Sequence, residues 1–333
     1  MILKETIYPK GAPVVVDALQ INGKTLLISG KFIKTASLKN EWQEDLDDPE
    51  EVVRALKKSG VRVDLLKFWQ RIPETEPKFP YYKEWRQVAA IPIRDFKYWW
   101  DKQIRFRSRN KIRKAQKLGV IVKEISFNDD FVRGVVEIYN QSPIRRGKPF
   151  RHYGKDFDTV KAELSVDLNE AVFVAAYFKD ELIGFTKFVL ADRYAFVTLI
   201  LDKTSHRDKS PMNAMVAKVV EGCAQRGLSH FTYTLFRRGD HGRFQESVGF
   251  VKVPVPEYYV PLTALGRIAL GLRLHEGVKG VIPERLLVSL LELRSKWYTF
   301  RLGRKIAPQP VADSSESKAL AVPTVESVTA RRG

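Results

Sequence analysis

Hydrophobic and polar positions along the chain alternate with two periods, and the switches between them mark the elements. Val14-Val15-Val16 and Thr25-Leu26-Leu27-Ile28 flank Asn22-Gly23, a dipeptide suited to the left-handed conformations of a tight hairpin turn. Asp47-Asp48-Pro49-Glu50-Glu51 opens a helix that ends near Ser59-Gly60. Val61–Asp64 reads as a short strand, the prolines 73, 77 and 80 as a loop, and Trp85–Ile93 as another strand. From Phe96 to Leu118 the chain is basic. Ile104, Ile112, Ala115 and Leu118 recur near helical spacing, and Gly119 stands where a helix stops.

Beyond it the pattern predicts a strand over 120–125 and helices over 128–140 and 156–164. A hairpin follows, 171–178 with 182–190, turning at Lys179-Asp180-Glu181. Next come a strand over 194–201, a polar loop over 202–211, a helix over 212–227 and a strand over 230–236. A short helix over 242–248 ends at Gly249, and 250–255 and 258–261 read as two last strands. Helices interleaved with a mixed sheet make an α/β sandwich. Residues 262–305 turn to helical periodicity, with Leu286, Leu290, Leu293, Trp297 and Phe300 on one face. Residues 306–333 have a disordered tail's composition. The expected division is a 1–100 α/β region, a 101–262 domain, C-terminal amphipathic helices over 263–305 and the tail.

Composition changes this picture in three ways. The 333 residues carry 57 Lys+Arg against 39 Asp+Glu, a net charge of +18, which draws polyanions. One cysteine, Cys223, excludes an internal disulfide, and with five histidines no tight transition-metal site is expected. No signal peptide and no 20-residue apolar run is visible, so a cytoplasmic protein is expected.

The chemistry concentrates where the 194–201 strand meets the helix that follows. The helix start offers unpaired N–H groups and the positive end of the dipole, Pro211 suits helix entry, and Arg207 and Lys209 add charge. Together they could hold a pyrophosphate. A second loop mixes Arg145, Arg146, Lys148, Arg151 and Lys155 with Phe150, His152 and Tyr153. It is a substrate-side anion site, or else a solvated loop. Lys102–Lys117 reads as a polyanion-facing helix or as a packed helix with a solvated face.

These residues carry a resemblance. Strand, loop, helix, strand, short helix ending in Gly-Phe, strand is similar to the acyl-CoA domain of the GNAT superfamily of N-acetyltransferases. The superfamily's phosphate loop, Gln/Arg-x-x-Gly-x-Gly/Ala, corresponds to Arg207-Asp208-Lys209-Ser210-Pro211-Met212, with both small positions replaced. Its Phe-x-x-x-Gly-Phe signature corresponds to Phe244–Phe250, one residue longer. Arg109–Val120, matching Arg-x-x-Ile-Arg-Lys-Ala-x-Lys-Leu-Gly-Val, and Pro211-Met212-Asn213 resemble the FemAB-like branch. The likeness covers about residues 100–262, and residues 1–100 match loosely, as a degenerate first half.

The resemblance implies a GNAT-like mixed central sheet flanked by helices, with C-terminal helices added. It implies an acyltransferase with acetyl-CoA or another acyl-CoA as donor, no metal, and an amine or hydroxyl of a sugar or cell-envelope precursor as acceptor. Leu199, Ile200 and Leu201 would bind the carbonyl, and Arg207, Lys209, Ser210 and Asn213 the carrier. The backbone from Leu199 to Asn213 should then open a cleft. For the base, Asp202, His206, Asp208 and His152 are candidates, each with a plainer use as a cap, turn or surface residue. Tyr233 is the candidate acid, or else fills the sheet. Arg145, Arg146, Arg151 and Tyr153 would face substrate. The lost glycines and the charge also suit an aminoacyl-tRNA-dependent FemAB-like transferase. A third reading is a non-enzymatic polyanion- or lipid-binding module, with peripheral membrane contact through residues 262–305.

Overall fold

The computed structural model describes residues 2–7, 14–145, 148–237 and 239–276. The first strands are β1 (Ile2–Ile7), β2 (Val14–Ile21), β3 (Lys24–Ser29) and β4 (Thr35–Leu38). β2 and β3 join through Asn22 and Gly23, both left-handed (φ 52° and 76°). α1 (Pro49–Lys58) starts where the Asp48 carboxylate accepts from the Glu51 N–H at 2.9 Å.

The strand expected at Val61–Asp64 forms later, as β5 (Leu65–Trp69). Asp64 is buried, and its carboxylate accepts from the Lys34 N–H (2.9 Å) and the Thr263 hydroxyl (2.8 Å), so it serves as an anchor rather than a ladder residue. β6 spans Tyr82–Pro92. The basic segment is not one helix. A short α2 (Phe96–Tyr98) widens into a π turn over Trp99–Gln103, the chain extends through Ile104 and Arg105, and α3 (Phe106–Lys117) follows. The interruption seats Trp99: its ring is fully buried, and its indole N–H donates to the Val248 carbonyl at 3.0 Å. α3 buries Ser108, Ile112 and Ala115, whereas Leu118 ends exposed.

The remaining elements are β7 (Ile121–Ile125), α4 (Asp129–Asn140), the two-residue strands β8 (Ile144–Arg145) and β9 (Lys148–Pro149), α5 (Phe157–Leu164), β10 (Ala171–Phe178), β11 (Glu181–Ala191), β12 (Tyr194–Asp202), α6 (Pro211–Gln225), β13 (His230–Leu235), α7 (Gly239–Ser247), β14 (Val251–Pro261) and α8 (Ala264–Gly271). β14 runs unbroken where two strands were expected. The Gln87 carbonyl accepts from the Phe236 N–H at 2.7 Å, so the backbone of Gln87 faces away from β14. By alternation so does that of Trp85, and their partners Pro254 and Pro256 turn their ring nitrogens away from β6. The missing N–H groups therefore cost the β6 ladder nothing, and on the other side the Pro256 carbonyl still accepts from the Gln70 N–H at 3.0 Å.

The long strands form one 12-stranded sheet, ordered β1-β2-β3-β4-β5-β14-β6-β13-β12-β11-β10-β7. β6, from residues 1–100, lies between β13 and β14 of residues 101–262, so the two segments share one sheet. On one face α2, α3 and α6 cover a core that includes Trp99, Ile112, Met215 and Cys223. Burial pushes the Cys223 thiol up to about 12, as suits a structural sulfur. On the other face α4 and α5 cover Phe173 and Phe185, and the Trp42 loop covers Tyr194, Phe196 and Val255. α1 covers a separate core with Leu26, Phe68 and Tyr258. Among the described residues no helix is long and apolar enough to cross a membrane. The face of Leu286, Leu290, Leu293, Trp297 and Phe300, and the 306–333 tail, lie outside the described residues.

Candidate functional site

β12 and β13 run parallel and pair only from Tyr194–His230 to Phe196–Thr232, although β12 continues to Asp202 and β13 to Leu235. Both strands bulge just past the last pair. On β12, Lys187 opposes Leu199 and Phe188 opposes Val197, which leaves Thr198 as the extra residue. On β13, the register against β6 shifts between Thr232 and Leu235, and Thr234 is left-handed (φ 48°). A bulge bends and twists its strand, and two of them facing each other splay this pair. Thr198 is exposed, although it lies mid-sheet between buried Val197 and Ile200.

The Thr198 bulge also resets which way the strand faces. Ala195 and Val197 pack on the α6 side, and past the bulge Ile200 takes that side while Leu199 and Leu201 pack on the α4 side. The Leu199 carbonyl accepts from the Thr186 hydroxyl (3.0 Å), and the Lys203 N–H donates to the Ile183 carbonyl (2.8 Å). These backbone groups therefore face β11. By alternation the backbone of Ile200 and Asp202 faces the gap, so of the three carbonyl-binding candidates Ile200 has its N–H there.

At the mouth of the gap the chain turns through a 3₁₀ segment, Thr204–Lys209, into α6. Ser210 is left-handed (φ 56°), the conformation a glycine takes without cost, so the turn is kept without a small residue. Its side chain makes no cap bond to the first N–H groups of α6. Asn213, in the first turn, is only 5% exposed, and its Nδ2 is buried with no hydrogen-bond partner among the described residues. A buried donor left alone costs about 1–3 kcal/mol, which marks a place where a ligand acceptor fits.

Asp202 is buried. Its carboxylate meets Arg207 Nε at 3.4 Å, and its carbonyl accepts from Arg145 Nη1 at 3.0 Å. Arg207 is half-exposed beyond it. Tyr233 is the first β13 residue past the last pair and lies edge-on to Phe250 and His241. Ile200 and Asp202 thus lie on β12 and Tyr233 on β13 past the last pair of the two strands, Arg207 and Arg145 meet Asp202, and Ser210 and Asn213 stand at the start of α6.

Other candidates turn elsewhere. Lys209 pairs with Asp208 and lies 4.9 Å from the Phe178 ring. His206 Nε2 lies 3.0 Å from Glu181. His152, expected at the surface, is 8% exposed and stacks on Tyr139 at 4.4 Å. Its Nε2 accepts from Arg151 Nε at 2.9 Å, so it holds a loop and Arg151 with it. Burial, then Arg151, Lys155 and Arg145, push its pKa down to about 3. Tyr153 is exposed, and Arg146 lies outside the described residues.

Sequence reasoning missed the residues that fix the loop. Gln141 Oε1 accepts from the Thr204 N–H (2.5 Å) and hydroxyl (2.8 Å), and its Nε2 donates to the Ser205 hydroxyl (2.6 Å). The buried Lys203 bridges Glu137 (2.7 Å) and Glu181 (2.8 Å). Only a lysine ending an apolar strand signalled this.

No family model matches the chain, and no curated protein does. Solved structures do. The C-terminal domain of a protein named as a lysylphosphatidylglycerol synthetase from Agrobacterium fabrum aligns over 81% of this chain and 86% of its own, with 12% identity and a TM-score of 0.53. FemX aligns over 78% and 88%, with 11% identity and a TM-score of 0.50. A conserved Bacteroides thetaiotaomicron protein of unknown function aligns over 74% and 86%, with 9% identity and a TM-score of 0.50. The chain shares its fold with FemX and with that synthetase domain.

Proposed function

We propose that the protein transfers an acyl group from an activated carrier to an amine or hydroxyl of a sugar or cell-envelope precursor, with an acyl-CoA as donor. The observation that carries this reading is the end of β12–β13 pairing at Phe196–Thr232, while β12 runs on to Asp202. The carrier's carbonyl lies in the gap and accepts from the Ile200 N–H, which stabilises charge on the oxygen as the tetrahedral intermediate forms. The α6 N-terminus, Asn213 and Arg207 hold the carrier's phosphates. Asp202 takes the proton from the attacking amine or hydroxyl. The bond from carbonyl carbon to carrier then breaks, and Tyr233 protonates the leaving thiolate. Arg145, which reaches the Asp202 carbonyl, lines the acceptor side.

A second donor is favoured by one observation. Arg107, Lys111, Lys114 and Lys117 on α3 are exposed and have no acidic partner among the described residues. Such a row suits the phosphates of an aminoacyl-tRNA, whose ester would sit in the same gap. FemX and the synthetase domain share the fold that frames it. Thermal-shift titration with acetyl-CoA, run beside filter binding of aminoacyl-tRNA across salt, separates the two. Stabilisation by acetyl-CoA is expected for the first, and a steep salt dependence for the second. Absence of both responses would overturn the transferase reading.

A further inference from the structure

β13 parts from β12 after Phe196–Thr232, and its backbone on that side then lacks a ladder partner. The Phe236 N–H donates to the Gln87 carbonyl of β6, so by alternation Leu235 turns its carbonyl the other way, toward the gap. Thr234, just before it, is left-handed (φ 48°), a conformation that a β-branched residue keeps only where its surroundings impose it. On β12 the bulge is held across the ladder to β11: the Thr186 hydroxyl donates to the Leu199 carbonyl (3.0 Å) and the Thr198 hydroxyl to the Lys187 carbonyl (3.2 Å).

On β13 the hold comes from a helix. Gln245 of α7 is fully buried. Its Oε1 accepts from the Arg237 N–H at 2.9 Å, and its Nε2 lies 3.4 Å from the Tyr233 carbonyl and 3.5 Å from the Leu235 carbonyl. An N–H can only donate, so the Arg237 bond fixes which way the amide faces, with its NH₂ toward the two carbonyls. Residues 233, 235 and 237 bracket Thr234 at the alternate positions that a neighbouring strand would engage. The two carbonyl bonds are long, but burial makes them count, because an amide shut off from solvent has to find its partners in the protein.

α7 is itself fixed. The Ser247 carbonyl accepts from the Arg105 N–H (3.1 Å), the Val248 carbonyl from the Trp99 indole (3.0 Å) and the Gln245 carbonyl from the Phe250 N–H (3.0 Å). A side chain at position 242 would collide with the Arg237 carbonyl, so Gly242 lets α7 lie close enough for the amide to reach β13.

We propose that Gln245 is a positioning residue of the gap. Its amide replaces β12 as the partner of β13, holds the Thr234 bulge, and so leaves the Ile200 N–H of β12 to a donor carbonyl with Tyr233 on the facing strand. The role rests on the reading of the gap as the donor site of an acyl-CoA. Without the amide, β13 straightens and the gap narrows at its carbonyl end, whereas the start of α6, which holds the phosphates, is untouched.

The test compares the full chain with Gln245→Met, which keeps the length of the side chain and removes the amide. Amide hydrogen exchange is read residue by residue. Dissociation constants are measured for acetyl-CoA and for adenosine 3′-phosphate 5′-diphosphate, the phosphate end of the carrier alone. In the unliganded wild type the Arg237 N–H should exchange slowly, although its side chain is exposed. In Gln245→Met it should exchange about tenfold faster or more, with the β6–β14 joint as protected as before. Acetyl-CoA should bind the variant about tenfold more weakly, and the phosphate end should stay within about threefold. Fast exchange at Arg237 in the wild type overturns the hold even if the variant does not fold, and so does unchanged exchange in a folded variant. Equal acetyl-CoA affinity in the two proteins, or an equal loss for both ligands, overturns the positioning role and leaves the donor site standing. A wild type that binds neither ligand overturns the donor site, and the place of Gln245 in it.

Discussion

The same sheet is closed between β6 and β14 and open between β12 and β13. The first joint pairs from Val251–Ala90 to Tyr259–Tyr82 and is riveted by Glu257, whose carboxylate accepts from Arg86 Nε (2.6 Å) and the Tyr259 hydroxyl (2.7 Å) and meets Lys67 at 3.4 Å. The second joint stops at Phe196–Thr232 and bulges on both sides. One joint spends its backbone groups on the ladder. The other keeps them for a ligand. Stability and binding should therefore separate by position, and mutation can break or sharpen that division.

The largest effect is expected at the closed joint. Glu257→Ala removes the acceptor of Arg86 Nε and of the Tyr259 hydroxyl, while Arg86 keeps Glu84 at 2.7 Å, and should lower unfolding free energy by about 2–3 kcal/mol. Denaturant titration reads this, and donor affinity of the folded fraction should not change. A loss of donor affinity equal to that at the open joint would erase the distinction.

Next is acid sensitivity near the open joint. His152 titrates near 6.5 when unfolded and near 3 when folded, so between these values the unfolded chain binds the extra proton. Its contribution is whole above pH 6.5 and falls on acidification, by up to about 2 kcal/mol at pH 5. In His152→Gln the difference in denaturation midpoint between pH 7 and pH 5 should shrink. An unchanged difference would remove His152 from the account.

Third, Asn213→Leu should weaken donor binding roughly tenfold, about 1.4 kcal/mol, with no fall in melting temperature, because its Nδ2 gives up no partner. A lower melting temperature with normal donor affinity would reassign Asn213 to the scaffold. The smallest effect is expected for Lys209→Ala. Its ammonium is engaged by Asp208 and the Phe178 ring, so donor affinity should change by about twofold or less, under about 0.5 kcal/mol.

What could be read in advance was what neighbouring residues decide. Asn22-Gly23 dictates its turn, and Asp48, Asn128 and Asp156 each accept from an N–H three residues on and start a helix. Pro211 marks the start of α6 for the same local reason. Periodicity tells which face a residue takes, not which strand lies beside it. The insertion of β6 between β13 and β14 was therefore invisible, as was the continuity of β14 through two prolines. At the site, Ser210 and Arg207 stood out as residues before a helix. The Thr198 bulge, which selects Ile200 for the gap, depends on partner strands and leaves no local mark. The difference between Arg145, which reaches a strand carbonyl, and Arg151, which is held by His152, is likewise decided by packing.

The β6 insertion also bears on how the chain is made. Arg86 and Glu257 stand 171 positions apart, yet they meet across one ladder. During synthesis β6 emerges long before β13 and β14, with two unpaired edges and its apolar stretch Val88–Ile91 uncovered. Closing so long a loop is slow, and an exposed strand meanwhile invites other chains. Refolding yield should thus fall with protein concentration. A co-expressed fragment that supplies β13 and β14 in trans would shorten the wait.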